Sequence, residues 1–265
     1  MSQATNFLEQ SLLDHLFDLA SYSAPATMYL ALFTAMSSGE TGSGTEVTGG
    51  DYARLAITND ATSWSRTSNV VTNDDLLTFA TASANWGDVT HWALMDDPTA
   101  GNMLIYGAFG SSVTVNNGST FRVASGQLAI TYNAKSNYTA GKLLDHLFGI
   151  ASFTAPTDIY VALMTANATD AGGGTEVSTS GTDYARQQVA NGAGEWTRTT
   201  NEVTHDNDIE YDEAAASYGT VVGQAAYDAG SVGNLLWWAA LTPPQTVGLG
   251  SQFAFEAGSL VYSLD

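Results

Sequence analysis

The sequence predicts a mainly β protein, built from two tandem antiparallel β-sandwich or barrel modules that are each preceded by a short amphipathic helix. The first observation behind this fold class is an internal duplication, because the segment from Leu12 to Ala35 returns from Leu143 to Ala166. The offset between matched positions stays between 130 and 132 residues. A repeat of this length matches one globular domain of about 100–150 residues. We therefore place the modules at residues 1–134 and 135–265.

The opening helix of each module is predicted from an apolar stripe. Apolar residues recur at spacings of one, three and four residues, which is typical of an amphipathic helix. Pro25 and Pro156 end the two helical segments, because a proline favours an extended residue before it. In the first copy the stripe consists of Leu12, Leu13, Leu16, Phe17 and Ala20.

After each proline the apolar residues alternate with a period of two, as in strands. Clusters of Gly, Asn, Asp, Ser and Thr separate these segments at a spacing of roughly 10 residues. Several short strands at this spacing favour an antiparallel sandwich or barrel. The predicted strands are residues 28–34, 52–57, 89–95, 103–109, 121–123, 127–132 and 159–165.

The composition is strongly acidic and contains no cysteine. The chain has 27 Asp and Glu residues against 7 Lys and Arg residues, which gives a net charge of −20. Such a charge repels phosphate backbones, so we expect no nucleic-acid partner. No stretch approaches the ~18 consecutive apolar residues of a membrane span, so we expect no membrane partner. Without cysteine, disulfides and thiolate metal sites are excluded.

Four of the seven basic residues fall at two pairs of equivalent positions. Arg54 and Arg186 end a repeated Asp-Tyr-Ala-Arg sequence, and two further arginines follow a repeated tryptophan. Strand alternation would place Tyr52 and Arg54 on one face, where the guanidinium could bind a carboxylate in a bidentate pair. We therefore predict structural clamps rather than ligand-binding arginines. The predicted clamp residues are Glu46, Tyr52, Arg54, Arg66, Glu176, Tyr184, Arg186 and Arg198.

An acid and a histidine stand side by side on each predicted helix, as Asp14-His15 and Asp145-His146. Adjacent residues on a helix do not face each other. In addition, no Ser or Cys has the sequence context of a catalytic triad. We therefore interpret both pairs as solvated helix faces, and we predict that the chain is not an enzyme and has no cofactor.

Two binding alternatives stay open. Asp206, Asp208 and Glu210 alternate in an acidic run, which makes them weak candidates for calcium ligands. A solvent-facing strand would explain the same alternation. Trp92 and Trp237 are candidate glycan contacts, although apolar runs such as the one around Trp237 are more often buried.

The residues retained between the copies resemble a module found in proteins of tailed bacteriophages. In the first copy the matching strings are YLALFTA from Tyr29, GTEV from Gly44, GGDYAR from Gly49 and WGDVTHWAL from Trp86. The second copy keeps the first three with small changes and departs from the fourth, where Gln224 stands in place of Trp92. Proteins with this module are called tail fibre or minor tail proteins.

The resemblance implies a non-enzymatic structural protein on the outside of a tailed virus particle. Its position would be at the tail, as a fibre, baseplate or minor tail component, or on the capsid as a decoration protein. The expected partners are other virion proteins of the capsid or tail, further copies of the chain on the particle, and a host surface receptor. The alternative function is a glycan- or receptor-binding, lectin-like module.

Overall fold

The computed structural model describes residues 2–264 and confirms a mainly β, antiparallel fold in two similar halves. The elements of the first half are β1 (Ser2–Ala4), α1 (Asn6–Leu16), β2 (Thr27–Ser38), β3 (Ser43–Glu46), β4 (Leu55–Thr58), β5 (Trp64–Thr67), β6 (Val70–Asn73), β7 (Leu77–Thr81), β8 (Gly87–Met95), β9 (Met103–Val115), β10 (Thr120–Val123) and β11 (Ala129–Thr131). The elements of the second half are α2 (Asn137–Leu147), β12 (Asp158–Ala166), β13 (Thr175–Glu176), β14 (Gln187–Ala190), β15 (Trp196–Thr199), β16 (Glu202–His205), β17 (Ile209–Glu210), β18 (Gly219–Tyr227), β19 (Leu235–Val247), β20 (Ala254–Phe255) and β21 (Val261–Ser263).

In both halves the strands pair in small antiparallel sheets. In the first half the orders are β1-β9-β8-β2-β3, with β4 also on β2, then β10-β7 and β11-β6-β5. In the second half they are β13-β12-β18-β19, with β14 also on β12, then β15-β16-β21 and β17-β20. Strand β2 lies inside its sheet, between β8 on one side and β3 and β4 on the other, and it has buried apolar residues on both faces. Met28, Leu30 and Leu32 are buried on one face, and Ala31 and Phe33 on the other.

The predicted strands are present, with one notable difference at residues 52–57. There the strand begins only at Leu55, where β4 starts. The preceding residues Gly49, Gly50 and Asp51 all have positive φ angles, of 72°, 58° and 59°. Gly adopts this left-handed conformation at no steric cost, and Asp tolerates it. The resulting turn carries the chain away from β2, so Tyr52 to Arg54 lie outside any ladder.

The helices begin earlier than the apolar stripe suggests, because polar caps precede it. The Thr5 hydroxyl accepts a hydrogen bond from the Leu8 N–H of α1 at 3.3 Å. In the same way the Ser136 hydroxyl accepts one from the Thr139 N–H of α2 at 3.0 Å. Such N-caps satisfy backbone donors that have no partner within the helix. No helix among residues 2–264 is long and apolar enough to cross a membrane.

The helices also end earlier than predicted, at residues in the left-handed conformation. Asp18 after α1 has a φ of 50°, and Gly149 after α2 has a φ of 62°. The Leu19 N–H then donates to the Asp14 carbonyl at 2.8 Å, as in a Schellman motif. The last part of each apolar stripe therefore lies in the segment after the helix.

The compact units of the structure are composed differently from the sequence repeats. Unit 1 consists of residues 2–11, 23–132 and 142–153, and unit 2 of residues 12–22, 133–141 and 154–264. Two segments, Leu12–Tyr22 and Lys142–Phe153, thus lie in the unit built mainly from the other repeat. We call them the exchanged segments. The division of the sequence at residues 134 and 135 concerns the repeats and stays a prediction.

Within unit 1, the exchanged segment contributes a fully buried aromatic ring and a helix end. The ring of Phe148 lies 4.8 Å from that of Trp64, centroid to centroid, at an angle of 61°. The side-chain amide of Asn59 donates to the Leu147 carbonyl at 2.8 Å. This hydrogen bond satisfies one of the carbonyls left open where α2 ends.

Unit 2 contains the same arrangement with the equivalent residues. The ring of Phe17 lies 4.8 Å from that of Trp196. The side-chain amide of Asn191 donates to the Leu16 carbonyl at 2.9 Å. The exchanged segments therefore complete the core of the unit in which they lie, in both halves of the chain.

We predict that Phe148→Ala lowers the free energy of unfolding by about 3–5 kcal/mol, because it leaves a cavity against Trp64. Hydrogen-exchange protection should fall in β5 and β6, which belong to the other sequence repeat. Phe17→Ala is the matched control, with loss of protection in β15 and β16. If Phe148→Ala deprotected β15 and β16 instead, the assignment of the exchanged segments would be wrong.

Candidate functional site

The structure brings six of the predicted clamp residues together in two equivalent groups. The first triplet is Glu46, Tyr52 and Arg54, and the second triplet is Glu176, Tyr184 and Arg186. Each triplet links three parts of its unit: the strand β3 or β13, the segment that follows this strand, and the loop after β8 or β18. The contacts below are observed, while the role of the triplets as structural clamps stays a proposal.

In the first triplet nearly all hydrogen-bonding capacity of the arginine is used. Arg54 donates from Nε and Nη2 to the two carboxylate oxygens of Glu46, at 2.9 and 2.8 Å. Its Nη1 donates to the carbonyls of Asp97 and Ala100, at 2.7 and 2.6 Å. Four of the five guanidinium N–H groups thus have protein acceptors. The Arg54 side chain is only 8% exposed, so little of it could reach a ligand.

Tyr52 replaces a missing backbone partner. Its hydroxyl accepts a hydrogen bond from the Leu32 N–H at 2.8 Å and donates to Glu46 Oε1 at 3.0 Å. Leu32 lies on β2 where the chain has turned away, so no strand residue can pair with this N–H. Burial raises the pKa of the Tyr52 hydroxyl well above its ordinary value, and the charge of Glu46 adds to this. The phenol therefore stays neutral and can both donate and accept.

The second triplet repeats this geometry with one addition. Tyr184 donates to Glu176 Oε1 at 2.9 Å and accepts from the Leu163 N–H at 2.9 Å. Arg186 Nη2 donates to Glu176 Oε2 at 2.8 Å, and its Nη1 donates to two loop carbonyls. The guanidinium carbon also lies 3.7 Å from the centre of the Tyr227 ring, a cation–π contact.

The reason for the triplet geometry differs from the one the sequence suggested. Strand alternation was expected to place Tyr52 and Arg54 on one face, but neither residue lies in a strand. They meet Glu46 because the turn at residues 49–51 brings the extended segment back beside β3. The carboxylate partners themselves are the ones that the sequence predicted.

Arg66 and Arg198 bind the exchanged segments. Arg66 Nε and Nη2 donate to the two carboxylate oxygens of Asp145, at 2.6 and 2.8 Å. Arg198 Nε donates to Asp14 Oδ1 at 2.5 Å. The hydrogen bonds that Arg66 donates to Asp145 raise the pKa of its guanidinium, which stays charged.

The interpretation of the two Asp-His pairs as solvated helix faces is wrong. Asp145 is only 9% exposed, and both aspartates pair with an arginine. The adjacent histidines accept backbone hydrogen bonds, from Tyr22 and Phe153. The helix pattern did not reveal this because the partner arginine lies far away in sequence. The scarcity of basic residues in both copies was the available signal.

The calcium candidates do not come together. Asp206 accepts a hydrogen bond from the Thr197 hydroxyl, and Asp208 accepts one from the Ala257 N–H. Glu210 is exposed on β17. Within the described part of the chain, no group of three or more His, Asp or Glu side chains is placed to hold a metal ion.

The two candidate glycan tryptophans are both buried. Trp237 is 3% exposed and packs against Phe17 at a centroid distance of 5.0 Å. Trp92 is 7% exposed and lies over Gly107, where an added Cβ would come within 2.6 Å of the ring. Both rings are therefore too deeply buried to present a full face on which a sugar could stack.

A family model described as podophage GP4 fiber I protein gp80 matches residues 3–131 and, a second time, residues 134–263. The chain belongs to this family. It is a structural tail fibre protein of a tailed virus and a component of the virion, with the family module present twice. Each matched region contains one complete triplet. No curated protein shows a significant match to the chain.

We predict that Glu46→Gln in this fibre protein lowers the free energy of unfolding by about 2–4 kcal/mol, because Arg54 is left as a buried, unpaired charge. Denaturant unfolding measures the change. Glu176→Gln should have a similar effect in the second triplet. Glu256→Gln removes the same charge from an exposed position and should change stability by less than about 0.5 kcal/mol. Equal effects of Glu46→Gln and Glu256→Gln would contradict a structural role of the triplet.

Proposed function

We propose that the chain is a non-enzymatic structural part of the tail fibre, on the outside of the particle and in contact with other virion proteins. The observation that carries this proposal is the use of the basic residues. Arg54, Arg66, Arg186 and Arg198 each hold a carboxylate of the same chain. The polar residues retained in both copies therefore support the fold instead of facing a substrate.

The triplets have a geometric role in this proposal. By binding the carbonyls of Asp97 and Ala100, Arg54 holds the loop between β8 and β9. Arg186 holds the loop between β18 and β19 through the carbonyls of Ala229 and Val232. Loops held by charge-assisted hydrogen bonds keep one conformation, which suits a surface that must fit a neighbouring protein.

Val232, at the tip of the second of these loops, is the candidate contact with another virion protein. Its side chain is 87% exposed, and its φ is 58°. A β-branched residue in the left-handed region is a strained outlier, and such strain is concentrated at functional positions. The Arg186 hydrogen bond to the Val232 carbonyl holds the residue in place.

Two alternatives receive less support. A capsid decoration protein agrees with the compact strands but not with the fibre family. A lectin-like module that uses Trp92 and Trp237 is disfavoured because both rings are buried. Localisation of the protein on the virion tests the first alternative, and glycan-binding assays test the second.

Immunogold labelling of purified virions with an antibody to this protein tests the proposed position. Label confined to the tail is expected. Label spread over the head would indicate capsid decoration, and absence of label from intact particles would contradict exposure on the outside. Incubation of the purified protein with host envelope should release no soluble fragments, and release would contradict the non-enzymatic assignment.

We predict that Val232→Asn reduces incorporation of the protein into virions by at least about 10-fold, because burying one apolar side chain contributes about 1.5–3 kcal/mol. Thermal stability should stay equal or rise, since Asn tolerates a positive φ. The measurement is the amount of this protein in purified particles from phage that carry the variant. Ala100→Asn changes the equivalent loop tip of the first repeat and is the control, for which normal incorporation is expected. Normal incorporation of Val232→Asn would contradict the assignment of this contact.

A further inference from the structure

A groove in unit 1 has the size and charge of a ligand site. It lies between the second half of β9 and the strands β10 and β11, and its volume is about 670 Å³. Binding sites for small molecules have volumes of about 300–1,000 Å³. Its walls include the half-buried Phe109, the exposed Val113 and the largely buried Trp92. Polar groups are supplied by Ser119, Arg122 and Gln127.

Arg122 differs from the arginines of the ion pairs. It is exposed, and no acceptor or carboxylate partner for its guanidinium is found within residues 2–264. The chain has a net charge of −20, yet no described residue that lines this groove is Asp or Glu. The carboxylate of Asp88, which is not itself a lining residue, accepts a hydrogen bond from the lining residue Thr114. The groove thus offers a guanidinium with no carboxylate partner among the described residues, and its planar fork matches a carboxylate or a phosphate in a bidentate pair.

The equivalent groove of unit 2 lacks these properties. Its volume is about 330 Å³. Ala254 occupies the position of Arg122, and Glu256 occupies that of Ala124. The fold therefore does not require a cation here, because the same architecture forms without one. Within one chain, the second groove is a natural control for the first.

We propose that the groove of unit 1 binds a carboxylated sugar, with the carboxylate on Arg122. Sugar rings combine hydroxyl groups with apolar C–H faces. The lining pairs the hydroxyl of Ser119 and the amide of Gln127 with the apolar side chains of Phe109 and Val113, which fits such a ring. This inference goes beyond the structural function, and a fibre protein could fulfil that function without it.

The test is a titration of the ¹⁵N-labelled full chain, followed by NMR at constant ionic strength, with glucuronate as the probe. We expect saturable shifts at groove residues such as Val113 and Gln127, with a Kd of about 1 mM for one small charged ligand. The equivalent residues Gln245 and Ser259 should not shift. Glucose, with the same ring but no charge, should not saturate.

Variants assign the binding to the guanidinium. Arg122→Gln should weaken glucuronate binding by at least about 10-fold, since charged hydrogen bonds are the strong ones. Lys135→Gln removes one positive charge outside the groove and should leave binding unchanged. Shifts that are absent, or that Arg122→Gln does not change, would overturn the proposal. Saturation by glucose or by glucose 6-phosphate in place of glucuronate would overturn the carboxylate assignment.

Discussion

The end of each helix is the contact on which both compact units depend. Within unit 1 a single helical turn supplies Phe148 to the core, Asp145 to Arg66 and the Leu147 carbonyl to a side-chain amide. Because these groups lie within one turn, a small displacement would break all of the contacts together. Unit 2 contains the same set, so residues of both repeats are needed to complete either unit.

The triplets meet a second constraint, a strand that loses its neighbour partway along. The turn after β3 leaves the Leu32 N–H of β2 without a backbone acceptor, and a tyrosine hydroxyl takes that place. The same hydroxyl donates to Glu46, and Glu46 in turn accepts a hydrogen bond from Arg54. The guanidinium then has donors left over, which hold the carbonyls of the loop after β8. All three polar residues of the triplet thus meet beside one backbone irregularity.

The two repeats keep their supports and differ in their grooves. On neighbouring strands, Trp92 packs on Gly107 in the first repeat, whereas Gln224 faces Ala239 in the second. The large ring and the glycine of the first copy are thus replaced by a smaller pair of side chains in the second. The groove beside this pair differs between the two copies in both volume and charge. Such a pattern agrees with a common framework in which the surfaces of the two copies serve different contacts.

Much of the fold follows from short-range sequence pattern. The duplication, the alternating strands and the pairing of Arg54 with Glu46 were predictable, because spacing defines an apolar face and charge scarcity limits the partners. The turn at residues 49–51 and the pairing of Asp145 with Arg66 were not. An apolar stripe predicts that a helix buries one face, but the stripe does not indicate which surface covers that face. Only the tertiary structure decides that partner, and with it which residues are exposed, because packing joins positions that are far apart in the chain.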